Sequence, residues 1–173
     1  EETPTRVRAV PIVRPESGSR RVIGVVTRHT NLGETRTPSR QQITFNDCAD
    51  DIFGMIAWGD FPDPAAPTAP RRGAPRASDG LIRLDVDGIT TFASPNALSA
   101  WGRLGFDDEL EGESLSEVTT QILPVKQNID ETLPIVVTGR APWRADIEAR
   151  GVTVSLRTIP LRDHGERIGA IVL

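Results

Sequence analysis

The sequence is short of the residue types on which most site chemistry is built. Its 173 residues include one cysteine, one methionine and two histidines. A lone cysteine, Cys48, excludes an internal disulfide and leaves no metal site of the usual Cys/His spacing. A small apolar side chain buried on a helix is the expectation for it. Of the 20 basic residues only Lys126 is lysine, a bias that matches a GC-rich genome and carries no mechanism. No run approaches the ~20 apolar residues needed to span a bilayer, and no charged-then-apolar leader opens the chain. A cytoplasmic location without a membrane partner is therefore expected. Eight basic residues balance eight acidic ones over residues 1–60, and nine stand against fourteen over 81–173. That distribution supplies no basic face, so no direct nucleic-acid partner is expected.

What remains suits a globular protein. Hydrophobic residues make up 38% of the chain, enough for one ordinary domain or two small ones. Two β-rich runs, Val7–Arg14 and Arg21–Thr30, flank a Glu-Ser-Gly-Ser reversal and predict a hairpin. Ile43, Phe45, Cys48, Ile52, Met55 and Ile56 then recur at three- and four-residue steps, which predicts a helix over Ser39–Trp58. Phe61–Gly80 holds five prolines and neither sustains a helix nor donates a strand ladder. It reads as a Pro-rich linker, 61–80, between units at 1–60 and 81–173. One hairpin and one helix are few for an independent core. Part of the first domain is therefore expected to be missing, and the chain is expected to be a fragment.

Beyond the linker, Leu81–Ile89 alternates apolar and polar residues, Asp87-Gly88 supplies a turn, and Thr90–Ala93 completes a second hairpin. Ser94-Pro95-Asn96 offers a cap and a helix-starting proline. Ala97, Leu98, Trp101 and Leu104 are expected to share the apolar face of the helix that follows. The acidic stretch Asp107–Val118, broken at Gly112, predicts two more short helices. A helix over Ile129–Val137 is expected to be kinked or begun by Pro134. Trp143–Ala149, Thr153–Leu161 and Arg167–Leu173 read as three closing strands, separated by Gly151 and a turn at Asp163–Glu166. The order β-β-α-α-α-β-β-β predicts an α+β fold, an antiparallel sheet with helices on one face.

The Asp85-x-Asp87-Gly88 bend, the Ser94-Pro95-Asn96-Ala97-Leu98 helix start, Glu111-Gly112-Glu113-Ser114-Leu115 and the three-strand finish together resemble a PAS domain. More closely, Arg76–Phe106, Val154–Leu161 and Arg167–Leu173 are similar to the PAS part of PdtaS-type sensor histidine kinases. Arg21–Thr30 and Asp47–Asp63 resemble the end of the GAF-like domain that precedes it. The resemblance implies a five-stranded PAS sheet preceded by the C-terminal part of a GAF-like domain. It implies a longer protein with a histidine phosphoacceptor helix and an ATP-binding lobe, both absent from this chain. No catalytic residue and no cofactor would then lie here, ATP belonging to the kinase domain. The partners implied are that kinase domain, a response regulator and a second copy in a homodimer. The signal would be a small-molecule ligand or a rearrangement of the dimer, passed on where the last strand runs into the helix leading to the kinase. A ligand-free dimerisation module is the alternative. Between Leu123 and Ile129 the chain looks several residues shorter than the family pattern.

Within this frame Asn96 resembles the PAS asparagine that ties the first helix start to neighbouring backbone. Phe92, Leu98, Trp101 and Phe106 are expected to face the sheet and to line a small pocket, with core packing as the alternative. Arg157 is the fifth candidate. Its strand is otherwise apolar, so an inward guanidinium would need an anion or a carboxylate, whereas alternation sets it opposite in facing to Leu156, where a surface salt bridge suffices. Haem and flavin-photoadduct chemistry are disfavoured: His29 and Cys48 lie in the first unit, and His164 lies in a turn. Asp85, Asp87, Asp107, Asp108 and Glu109 fall on a hairpin and a loop, with no nucleophile pair or phosphate-binding glycine loop nearby. Turn chemistry is their expected role, as it is for Asp163 and His164.

Overall fold

The computed structural model describes residues 5–31, 37–66, 74–123 and 131–173. The chain divides into two compact units, Glu1–Pro62 and Asp63–Leu173. In the first, β1 (Thr5–Glu16) and β2 (Ser19–Asn31) pair antiparallel in a long hairpin. Gly18 makes the reversal at φ 81, a conformation that costs a side-chain-bearing residue energy. Helix α1 (Arg40–Trp58) begins at Ser39, whose Oγ accepts from the Gln42 amide at 3.2 Å, and ends at left-handed Gly59. Cys48, Met55 and Ala57 are its buried residues. Arg14 Nε donates to the Ala57 carbonyl at 3.1 Å, and Arg28 Nη1 donates to Asn46 Oδ1 at 3.0 Å. These bonds tie the helix to both strands.

The second unit is a five-stranded antiparallel sheet in the order β4-β3-β7-β6-β5. Its strands are β3 (Ile82–Leu84), β4 (Thr90–Ala93), β5 (Arg144–Ala149), β6 (Val152–Asp163) and β7 (Glu166–Val172). Helices α2 (Pro95–Leu104), α3 (Leu115–Ile122) and α4 (Leu133–Val137) fall between β4 and β5 in the chain. Ile82, Leu84, Ala93, Ala145, Ile147, Leu156, Ala170 and Val172 from the strands share one buried cluster with Ala97, Trp101, Leu104, Leu115, Val118 and Val136 from the helices. Because strand side chains alternate in facing, this single set of positions places all three helices on one side of the sheet, as expected. Thr158 Oγ1, buried, donates to the Val136 carbonyl at 2.7 Å and fastens α4 to the central strands.

Two expectations are corrected. The first strand stops at Leu84 and does not run on to Ile89, because Asp85 closes the bend itself. Its Oδ1 accepts from the amides of Asp87 and Ile89, each at 2.9 Å, and Gly88 sits at φ 84. Asp107–Gly112 forms no helix. Its backbone is recruited by β4 instead, the Gly112 amide donating to the Thr90 carbonyl at 2.8 Å and the Thr90 amide to the Glu113 carbonyl at 2.9 Å. Only α3 remains of the two short helices expected there. The helix expected over Ile129–Val137 is α4, with Pro134 in its first turn and residues 129–130 outside the described residues. The shorter region proposed between Leu123 and Ile129, and residues 67–73 of the linker, also lie outside them.

Two positions carry much of this arrangement. Gly169 lies at φ 148 on β7, and a Cβ there would overlap the Leu84 carbonyl oxygen of β3. Ser94 Oγ accepts from the Ala97 amide at the start of α2 and, in the buried interior, from the Leu81 amide at 2.9 Å. Gly169→Ala is expected to lower the stability of the second unit by more than about 2 kcal/mol, through backbone strain and a displaced strand pair. A urea midpoint within error of the parent would contradict the role given to the close approach. Ser94→Ala orphans a buried amide as well as a helix start, and a loss of about 2 kcal/mol is expected in the same titration.

Candidate functional site

The second unit has one well-buried apolar core. Trp101, Leu84, Leu104, Leu110, Leu115 and Ile147 are essentially inaccessible. The candidate site lies at the margin of this core, in a cleft of about 200 Å³ beside α2. Ile82, Ala97, Ala100, Trp101, Leu156 and Val172 make it largely apolar. Pro75, Asp79, Gly80, Arg103, Thr153, Val154, Ser155 and Leu173 complete its lining. The cleft is smaller than the ~300 Å³ at which pockets for drug-sized ligands begin. A shallower groove of about 370 Å³ runs beside it and shares Pro75, Asp79 and Ser155.

Local chemistry explains why the lead-in segment stays at the rim. Asp79 folds Arg76–Gly80 into a turn, its Oδ2 accepting from the Arg76 amide at 3.0 Å and its own amide donating to the Arg76 carbonyl at 2.9 Å. Asn96, in the first turn of α2, donates Nδ2 to the Ser78 carbonyl at 2.7 Å. That is the tie to neighbouring backbone expected of it. The helix cap itself is Ser94.

The five candidate residues do not converge. Trp101 alone of them lines the cleft, its ring otherwise buried in the core. Leu98 departs from the expected face. It is 41% exposed, because it lies about 100° around the helix from Ala97, whereas Ala97, Trp101 and Leu104 hold the buried stripe. Phe92 is buried on the other side of the sheet: it stands opposite Arg83, while its neighbour Ala93 stands opposite Ile82 in the core. Phe106 packs, half-buried, against the core just past α2. Arg157 is half-buried and faces away from the helices, opposite in facing to Leu156 as alternation requires. Sequence reasoning passed over the small residues Gly80 and Ala100 and gave Ala97 only a place on the apolar face of the helix. No residue-level signal marks the cleft, since its lining is gathered from separate segments of the chain.

Arg157 has an unexpected neighbour. The β5–β6 register sets it directly across from Arg144, whose Nη2 is buried without a hydrogen-bond partner among the described residues. Like charges directly opposite on a sheet face oppose pairing. Arg157→Gln is therefore expected to leave stability unchanged or raise it by up to about 0.5 kcal/mol in dilute buffer, with the difference shrinking as salt is added. A salt-independent loss above about 1 kcal/mol in thermal unfolding would show that Arg157 makes a favourable contact instead.

Asp85 and Asp87 are occupied in the β3–β4 bend, and His164 stands at the β6–β7 turn with φ 50, its Nε2 3.6 Å from Asp163 Oδ1. These are the turn roles expected. Among the described residues no group of three or more His, Cys, Asp or Glu side chains is placed to hold a metal ion, and no helix is long and apolar enough to cross a membrane.

Comparison with known proteins agrees with this architecture. A family model described as the GAF domain of histidine kinase PdtaS matches residues 1–49, and one described as the PAS fold matches residues 75–173. The sensor histidine kinase PdtaS of Mycobacterium tuberculosis H37Rv is 40% identical over 166 residues, covering 93% of this chain and 33% of the relative. That of Mycolicibacterium smegmatis is 38% identical over 170 residues, covering 96% and 33%. The chain thus spans about a third of the length of these curated relatives. A solved structure titled "Sensor region of a sensor histidine kinase" superposes with a TM-score of 0.73 at 36% identity, covering 96% of this chain and 62% of that one. The chain belongs to the PAS family over residues 75–173, in the GAF-then-PAS arrangement of the PdtaS-type sensor histidine kinases.

Proposed function

We propose that this chain is the sensory region of a two-component sensor histidine kinase, and that it controls an ATP-dependent kinase domain which phosphorylates a response regulator. The observation that supports this reading best is the match, along nearly the whole chain, to the sensor region of a histidine kinase. Neither a phosphoacceptor helix nor a nucleotide-binding glycine loop is found in the sequence, so the contribution of this region is regulatory. The signal enters either as a small ligand or as a change in a homodimer. In both cases the sheet is the transmitting element, because β7, the last strand, lies in its middle. Two arrangements differing by a few kcal/mol suffice to bias a downstream domain.

The second route, in which a ligand-free module works by dimerisation, has exposed apolar surface to draw on. Ile43, Phe45 and Trp58 on α1 are 50%, 49% and 47% exposed, and Val7, Val22 and Val25 on the hairpin are more than half exposed. Exposed apolar surface of this kind is open to a further element of the same domain or to a second molecule. Native mass spectrometry of the intact protein, purified from its own host, separates the routes. A retained small molecule is the outcome expected of ligand sensing, and an empty dimer is the outcome expected of assembly. An empty monomer at micromolar concentration would overturn both.

A further inference from the structure

Strand β5 is the last in the sheet and pairs with β6 on one side only. The Thr158 amide donates to the Trp143 carbonyl, and in an antiparallel pair successive residues turn their backbone groups to opposite sides. Ala145, Ile147 and Ala149 therefore bond β6, while Arg144, Asp146 and Glu148 turn theirs outward. The Arg144 carbonyl is taken by Thr132 Oγ1 at 3.0 Å. The backbone groups of Asp146 and Glu148 have no partner among the described residues. The three side chains stand on the face of the sheet away from the helices, since Ala145, Ile147 and Ala149 point into the core. Asp146 and Glu148 are exposed, and Arg144 is half-buried. Arg144 lacks a counter-charge: toward β6 it meets Arg157, and its Nη2 is buried without a hydrogen-bond partner among the described residues. Asp146 is held on the other hand, its Oδ1 accepting from Ser155 Oγ at 2.6 Å.

We propose that this edge pairs with the same edge of a second copy, antiparallel about a two-fold axis, so that the two sheets continue into one another. The contact presupposes the homodimer of the sensory reading and gives it an interface. Exposed charge ordinarily keeps sheet edges apart. Here its order, one cation followed by two anions, is self-complementary when read in opposite directions. Pairing centred on Asp146 sets Arg144 opposite the partner's Glu148, and Glu148 opposite the partner's Arg144. Each Arg144 then gains a facing carboxylate that offsets Arg157, with the partner's Asp146 on the diagonal. Only the two Asp146 carboxylates meet like against like, and Ser155 draws each toward its own β6. The backbone bonds use the Asp146 groups, the Arg144 amide and the Glu148 carbonyl, and leave the Thr132 bond in place. Neighbouring registers are worse. A shift one way opposes Asp146 to the partner's Glu148 in both pairs, and a shift the other way opposes Glu148 to the partner's Pro142, which has no amide to donate.

On the two-fold axis Asp146 stands opposite its own copy at the ~5.5 Å Cα spacing of a hydrogen-bonded pair, a distance that a disulfide spans. The native Cys48 is buried. In the intact protein under mild oxidation, Asp146→Cys is expected to give a covalent dimer on a denaturing gel, whereas Glu117→Cys, exposed on α3, is expected to run as a monomer. In sedimentation equilibrium, Glu148→Arg is expected to weaken dimerisation by about tenfold or more, and Arg144→Glu combined with Glu148→Arg, which exchanges the charges, to bring the constant back to within about threefold of the parent. Three results in a dimeric parent would each overturn this contact and leave the homodimer standing. They are no cross-link from Asp146→Cys, an unchanged constant in Glu148→Arg, and no recovery in a folded protein carrying both charge changes. A parent that stays monomeric would overturn the contact and the homodimer together.

Discussion

The second unit depends on the insertion of β7 between β3 and β6. The strand formed by the end of the chain is the middle of the sheet, so the hairpin at the start of the domain and the two strands before β7 become one sheet only when it is in place. The insertion is tight. At Gly169 the β3 backbone comes so near that no side chain fits, and at Gly139, after α4, a Cβ would stand 2.5 Å from the Ala170 side chain. The positions that let β7 seat are therefore those where side chains are missing, and the apolar Ala170 and Val172 that it brings complete the core under the helices.

The cleft beside β6 is bounded by α2 on the core side and by the turn that Asp79 holds at the lead-in. Trp101 lines the cleft and is also part of the buried core.

The first unit obeys a different balance. Its helix buries three residues and its strands bury none, and a hairpin alone is marginal in water. Side-chain hydrogen bonds from Arg14 and Arg28 and an apolar stripe hold helix to hairpin. The apolar residues left outside, Val7, Val22, Val25, Ile43 and Phe45, are surface that a further element or a second molecule can cover.

The sequence by itself determined the elements whose cause is local. Periodicity and a serine cap set α1 to within a residue, Asp85 and Gly88 made a bend, and alternation placed Arg157 opposite in facing to Leu156. The family was legible too, because turn and cap residues recur at family-specific spacing. Only the tertiary structure decided the rest, for reasons of distance. Asp107–Gly112 carries helix-compatible residues but loses its backbone to Thr90, some twenty positions earlier in the chain. Leu98 differs from Ala97 in nothing that composition records, and one step of 100° put it in solvent. The Arg144–Arg157 juxtaposition follows from a register set by β5, β6 and the turn between them. The cleft takes its lining from α2, the lead-in and the strands, and a space bounded by separate segments leaves no mark in any one of them.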